Sequence, residues 1–257
     1  METKYGIVLS GGGVRGIAHL GVIKALEEHG IYPEFIAGAS AGAIVGAFYA
    51  AGHSWEDILH FFKTTSMFSW QNYTYRKPGI LDTDKFESIF ASYLPEDNFA
   101  SLKKTLFVSA TDIETGKNVI FKQGSLVRKV LASAAFPMVL SPVRISGTYY
   151  ADGAITNNFP VEPLVGTCDT IIGSYVSPLP VIQHGELTNS MAVLERALKI
   201  GMAAQSESKF EHCDILVAPH QLNEVGTFSM NRIDEVFEIG YETACQKLEE
   251  LEQPVNS

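Results

Sequence analysis

The chain has 257 residues, 46% of them hydrophobic, and a formal net charge of −10. That size and apolar content suit a folded domain with a large core and exclude intrinsic disorder, while scattered Lys and Arg on an acidic chain argue against nucleic-acid binding and against attraction to a strongly anionic membrane. Cys168, Cys213 and Cys245 lack any C-x-x-C spacing, so neither a disulfide framework nor a zinc site is expected, and a reducing compartment is the simpler reading.

In chain order, Tyr5–Leu9 reads as a strand buried on both faces, followed by the glycine-rich loop Ser10–Gly16. Helical periodicity runs from Ile17 to Glu28 and stops at Gly30. A second apolar strand ends at Gly38 and turns at Ser40 into a helix of small residues, closed near Gly52. Ser54 is the expected N-cap of a helix from Trp55 to Lys63, with Glu56 and Asp57 in its first turn. Ser66 to Gly79 breaks the pattern, with Met67, Phe68, Trp70, Tyr73 and Tyr75 among polar residues. It reads either as a lid or interfacial contact for an apolar substrate, or as a long loop packing its own aromatics.

Thr83 to Tyr93 follows as a helix capped by Asp82 or Thr83. Thr105–Asp112 and Asn118–Lys122 form a hairpin around Glu114–Lys117, with Gly116 in a turn position. Leu126 to Ala135 is helical and ends at Pro137; Tyr149–Ala151 is a short strand leading into Asp152-Gly153-Ala154. Thr170–Val176 and Ile215–Val217 add strands, Leu187–Phe210 is a long helical candidate, and Arg232–Leu251 an amphipathic final helix. This alternation predicts a single α/β domain over residues 1–257, its mostly parallel sheet covered on both faces. With no basic-then-apolar leader at the N-terminus and no apolar run near the ~20 residues of a spanning helix, a soluble, cytoplasmic protein is expected.

Two stretches carry chemistry. Gly38-Ala39-Ser40-Ala41-Gly42 has the form of a nucleophile elbow, in which a sharp strand-to-helix turn projects a serine hydroxyl and the helix N-terminus favours developing negative charge. Gly11-x-Gly13-x-x-Gly16 satisfies a dinucleotide fingerprint, but the second strand ends in Gly38-Ala39-Ser40 rather than in the acid that would hold ribose hydroxyls. The same glycines suit an oxyanion, because consecutive N–H groups can converge where a helix begins. Arg15 is expected to brace this loop or to be solvated, with contact to an anionic substrate group as the alternative.

A serine hydroxyl needs a base. Among the seven histidines, His184, His212 and His220 follow Asp152 and are the candidates for a Ser-Asp-His order; His19, His29, His53 and His60 read as packing or surface residues. Asp152 is the better candidate, since it follows a strand end, and a carboxylate in a partly apolar site gains basicity.

Taken together, Gly11-Gly12-Gly13-Val14-Arg15-Gly16, Gly38-Ala39-Ser40-Ala41-Gly42 and Asp152-Gly153-Ala154 resemble the patatin-like phospholipase family, in particular its small single-domain bacterial members. The resemblance spans about residues 5–176, and Ser133-Ala134-Ala135-Phe136-Pro137 is similar to a family segment that packs near the site. It implies a three-layer α/β/α fold and a Ser-Asp dyad without histidine: Ser40 as nucleophile, Asp152 as base and the Gly11–Gly13 backbone as oxyanion hole. Many members have Asp-Gly-Gly where this chain has Asp-Gly-Ala. The expected activity is hydrolysis of lipid or lipid-like esters through an acyl-serine, with no metal or organic cofactor. The resemblance and the aromatic stretch suggest peripheral membrane contact, against which the acidic balance argues. The alternatives are a Ser-His-Asp esterase, a lipid- or acyl-binding regulatory protein of low turnover and, more distantly, a nucleotide-binding protein.

Overall fold

The computed structural model describes residues 3–65, 83–137, 140–183, 185, 187–227 and 229–252. The aromatic stretch Ser66–Gly79, the cap candidate Asp82 and His184 lie outside the described residues. Strands β1 (Tyr5–Leu9), β2 (Phe35–Ala39), β3 (Thr105–Asp112), β7 (Thr170–Ser174) and β8 (Ile215–Val217) pair in parallel in the order β3-β2-β1-β7-β8. Strands β4 (Lys117–Phe121), β5 (Val143–Ile145) and β6 (Thr148–Asp152) join antiparallel: β4 and β6 on β3, β5 on β6. The fold is the expected mixed α/β arrangement with a mostly parallel central sheet.

Alternating side chains divide the core into two faces, as the pleat of a strand requires. Ile7, Leu9, Ile36, Leu106, Val108, Ile172, Ile215 and Val217 point to one side. There they meet α1 (Ala18–Glu28), α2 (Ala41–Ala51), α3 (Trp55–Thr64), α4 (Thr83–Tyr93), α5 (Val127–Ser133) and α8 (Ile233–Glu252). Val8, Ala37 and Ile171 point to the other, where Phe159, Val161, Leu164 and Tyr175 form a smaller core beside α6 (Ala154–Asn157) and α7 (Ser190–Glu207). This second layer is thin, and it leaves much of α7 open.

The local chemistry follows the sequence closely. Ser54 caps α3 in a full capping box with Asp57, two orphan donors being satisfied reciprocally. Gly116 takes φ 70 in the β3–β4 turn. Helix α7 starts three residues later than apolar periodicity suggests, because Asn189 caps it by accepting the Ala192 N–H at 3.0 Å. Strand β5 was not expected: Val143–Ile145 is three residues long and too short for a period-two pattern to register.

One feature of the sheet positions the site. Residues Val108 and Ser109 of β3 pair with both β2 and β4, and Ala110–Asp112 pair with both β4 and β6. A strand has two edges, so β4 holds one while β2 and β6 share the other, end to end. Ala39 of β2 lies opposite Ser109 and Asp152 of β6 opposite Ala110. A strand running up and a strand running down therefore meet head-on, and the residues at the junction are Ser40 and Asp152.

Candidate active site

Ser40 sits between β2 and α2 at φ 53, ψ −124, a conformation costly for a residue with a Cβ and found where surrounding structure enforces it. Its carbonyl accepts the N–H groups of Ala43 and Ile44, and its own N–H donates to Ser133 Oγ at 2.9 Å. The turn also packs tightly on β1: a Cβ at Gly42 would lie 2.2 Å from the Leu9 carbonyl oxygen, so only glycine fits. Gly38 rests on the Gly42 backbone, and Gly16 on Ala41.

From this turn the Ser40 hydroxyl donates to Asp152 Oδ2 at 2.7 Å. Asp152 is fully buried at the end of β6, and its other oxygen, Oδ1, accepts the Ala154 N–H at 2.8 Å. Burial raises its pKa to about 7; the Ala154 N–H and the Ser40 hydroxyl pull the other way but do not offset the loss of water. Its backbone is fixed as well, the N–H bonding to the Ala135 carbonyl and the carbonyl accepting from Thr111 Oγ1. Gly153 follows directly against the Ser109 carbonyl and donates to the Ser133 carbonyl.

The glycine loop lies against the same junction: a Cβ at Gly11 would be 2.9 Å from Ser40 Cβ and 2.6 Å from Asn158 Oδ1. Gly11 is buried, and its N–H donates to Asn158 Oδ1 at 3.0 Å. Gly12 and Gly13 are half-buried, and their N–H groups have no hydrogen-bond partner among the described residues. Gly13 holds φ 60 with the Thr227 carbonyl oxygen 2.4 Å from where a Cβ would stand. Of the three donors expected from the sequence, one is thus already bonded and two are open.

Arg15 braces the loop: it is 7% exposed, its Nε donates to the Val225 carbonyl at 2.7 Å, and burial lowers its pKa. His19 is buried beneath the loop. Its Nε2 bonds the Ser10 carbonyl at 2.8 Å, which makes Nε2 the protonated nitrogen and Nδ1 the acceptor for the Ser174 hydroxyl at 2.7 Å. Burial pushes its pKa down to about 4, so it is a neutral strut between loop and β7.

Neither described triad histidine approaches Ser40. His212 precedes β8, at the end of the parallel sheet opposite to Ser40. His220 follows β8, three strands from β2, or roughly 14 Å at ordinary strand spacing. Asn158 and Ser133 are the site residues that sequence reasoning did not assign. Ser133 carried a signal through the Ser133–Pro137 segment, whereas Asn158 sat unmarked in a polar turn. Among the described residues, no group of His, Cys, Asp and Glu is arranged to hold a metal ion, and no helix is long and apolar enough to cross a membrane.

A sequence profile of the patatin-like phospholipases matches residues 7–165. An uncharacterized NTE family protein of Mycobacterium tuberculosis is 33% identical over 168 residues, covering 64% of this chain and 46% of that protein. Lysophospholipase nte1 of Aspergillus fumigatus is 25% identical over 281 residues, covering 96% of this chain and 18% of that protein. The chain thus spans less than half the length of these relatives. In structure it resembles VipD from Legionella pneumophila, with a TM-score of 0.59 at 16% identity over 97% of this chain and 67% of that one. ExoU of Pseudomonas aeruginosa, solved with SpcU, gives a TM-score of 0.50 at 16% identity over 98% of this chain and 53% of that one.

Proposed function

Since the chain belongs to the patatin-like phospholipase family, we propose that it is a serine acyl hydrolase that cleaves the ester bond of a phospholipid, lysophospholipid or similar lipid, with Ser40 as nucleophile and Asp152 as base. The observation that carries this reading is the 2.7 Å hydrogen bond from Ser40 Oγ to Asp152 Oδ2, made to a carboxylate that is fully buried and raised to about 7. A base with a pKa near the working pH is best matched to taking and returning a proton.

In this mechanism Asp152 Oδ2 takes the hydroxyl proton as Ser40 Oγ bonds to the ester carbonyl carbon. The carbonyl electrons move onto oxygen, and the oxyanion accepts hydrogen bonds from the Gly12 and Gly13 N–H groups at the start of the helical turn 13–17. Such donors act without reorganising, and losing one costs about 3 kcal/mol of transition-state stabilisation. When the intermediate collapses, the bond to the leaving alcohol breaks and the Asp152 proton goes to that oxygen. Asp152 then deprotonates a water that attacks the acyl-Ser40 carbonyl; the acid departs and the proton returns to Ser40. Every proton is accounted for by one carboxylate, so a histidine is not needed. Arg15 serves the loop rather than the substrate in this scheme, because its Nε is committed to Val225.

The test is hydrolysis of a short-chain nitrophenyl ester together with fluorophosphonate labelling. Ser40→Ala is expected to lower turnover by at least ~10³-fold and to abolish labelling, and Asp152→Asn to do nearly the same, with folding intact by circular dichroism. Full labelling of the Asp152→Asn protein would move the base elsewhere. Negligible hydrolysis by a wild type that still labels at Ser40 would favour an acyl-binding regulatory protein.

A further inference from the structure

Helix α7 leaves an apolar stripe open to solvent. Its aliphatic residues Val193, Leu194, Leu198 and Ile200 face outward, each leaving between 38% and 50% of its surface open. The same outward side carries Ala197, Gly201 and Ala204, all exposed and none charged. Its charged residues lie on another side: Lys199 is paired with Glu195 at 2.6 Å, the two side chains 37% and 44% exposed, Arg196 donates to the Pro180 carbonyl at 2.8 Å, and Glu207 is exposed in the last turn. A surface helix ordinarily buries its apolar stripe and shows its charges to water. Here three of the charges are paired along one side of the helix, and the apolar stripe has been left outside.

The place of this stripe in the fold gives it meaning. Strand β7 runs parallel to β1 and β2, so the chain leaves it at the same end of the sheet as Ser40. Three residues after β7, Ser177 Oγ donates to the Gly11 carbonyl at 2.5 Å, against the glycine loop itself. From there the chain carries Val181, 97% exposed, and Leu187, 44% exposed, into α7. Helix α7 packs on α6, which begins two residues after Asp152, and Glu195 is close enough to Arg15 to favour its positive charge. Helix α7 and the segment leading into it therefore lie beside the candidate active site.

We propose that Val181, Leu187 and the outer face of α7 form the surface by which this protein rests on a zwitterionic phospholipid bilayer, holding the glycine loop and Ser40 over the lipid. Charge selects this occupant. Between Val193 and Ala204 the face carries no charge, the chain carries −10, and neither offers the cationic cluster that an anionic bilayer would require. Area argues the same way: six part-exposed aliphatics present roughly 500 Å², which is a functional patch by monomer standards but falls short of the ~800 Å² per partner of a stable dimer. Binding of an apolar helix face at the headgroup boundary scales with the apolar area it buries. The inference rests on the reading of the site as a lipid hydrolase, yet it is tested by binding and so can fail separately.

The experiment is co-sedimentation of the full chain with phosphatidylcholine vesicles, with and without added phosphatidylglycerol. Wild type is compared with the double variant Leu194→Asp, Leu198→Asp, and light scattering and nitrophenyl ester turnover are measured on both. The expected result is binding to phosphatidylcholine that phosphatidylglycerol does not strengthen and that the double variant loses by roughly tenfold or more. Turnover of the soluble ester should change by less than about twofold, since neither leucine touches the site. Absence of wild-type binding overturns the proposal, as does equal binding by the variant. A wild-type dimer that the variant dissolves would assign the face to a second copy and overturn it too. Loss of the hydrolase reading would show instead as an inert Ser40 with vesicle binding unchanged.

Discussion

Ser133 Oγ accepts the backbone N–H of Ser40 at 2.9 Å, while the Ser133 carbonyl accepts the N–H of Gly153 at 3.1 Å. One fully buried residue at the end of α5 therefore grips the chain at the serine and again just after Asp152. Two residues further on, the Ala135 carbonyl holds the Asp152 N–H. This bracket explains how Ser40 keeps φ 53 without a glycine: the strained turn is tied to the strand that carries its partner. Ser133→Ala leaves the Ser40 N–H without an acceptor, at a cost of about 1–3 kcal/mol. Turnover is expected to fall roughly tenfold with KM nearly unchanged, because the substrate's own contacts are untouched. Steady-state kinetics beside a thermal melt check this, and an unaltered kcat would show that α2 alone fixes the turn.

With Asp152 as the proposed base, the pH dependence of the reaction should follow its titration. A base whose pKa is raised to about 7 is protonated below that pH, so kcat/KM should climb about tenfold per pH unit up to neutrality and then level off. The serine hydroxyl stays protonated throughout, so no falling limb is expected from it. Asp152→Asn should remove both the activity and the profile. His212→Ala and His220→Ala should leave profile and rate where they were, since neither is near Ser40. A rate–pH profile on a soluble ester measures all four chains. An inflection near 4 in the wild type would mean that water reaches the carboxylate.

The same burial has a stability consequence with a definite sign. Asp152 binds its proton more tightly in the folded chain, at about 7 against an ordinary 3.8, so folding loses stability as pH rises between those values. The loss amounts to about 4 kcal/mol once both states are ionised. His19 acts in the opposite sense. Its folded value of about 4 lies below its ordinary 6.5, so its contribution is present above 6.5 and is lost as pH falls towards 4, by about 3 kcal/mol. The two nearly cancel across the acid range. In Asp152→Asn the amide keeps the shape but not the titration, so acid should destabilise that protein visibly between pH 6.5 and 4. Its advantage over wild type should grow by up to about 4 kcal/mol from pH 4 to pH 8. Denaturant unfolding at several pH values reads both slopes, and parallel curves for the two proteins would show that Asp152 is not desolvated.

Much of this arrangement can be read from the sequence because it rests on local chemistry. The elbow needs small residues at 38 and 42, the loop needs glycine at 13 for its positive φ, and the parallel core strands read as unbroken apolar runs. Asp152 is legible as a strand end followed by glycine. What the sequence hides is pairing at a distance. Nothing in residues 148–152 says that β6 runs against β3 and shares an edge with β2, although that register is what brings Asp152 to Ser40. The role of Asn158 is hidden for the same reason, since its partner Gly11 is 147 positions away. His19 reads from its helical position as a surface or packing residue; that both ring nitrogens are bonded follows only from the β1–β7 contact.

Asn158 therefore supplies the last expectation. Its Oδ1 holds the buried Gly11 N–H, which keeps the start of the glycine loop pressed against Ser40 and leaves Gly12 and Gly13 as the open donors. Its own Nδ2 is buried without a partner among the described residues, so within them the amide is oriented by the Gly11 bond. Asn158→Ala removes that anchor and orphans the Gly11 N–H. The loop can then relieve the orphan only by moving, and movement misaligns donors that must lie about 2.7–3.1 Å from the oxyanion. The expected outcome is a fall in kcat of roughly ten- to a hundredfold with KM nearly constant, and slower but complete fluorophosphonate labelling of Ser40. Loss confined to KM would instead place Asn158 against the ground-state substrate. Because Asp152 is untouched, the pH profile of the surviving activity should still turn near 7, which separates a displaced loop from a displaced base.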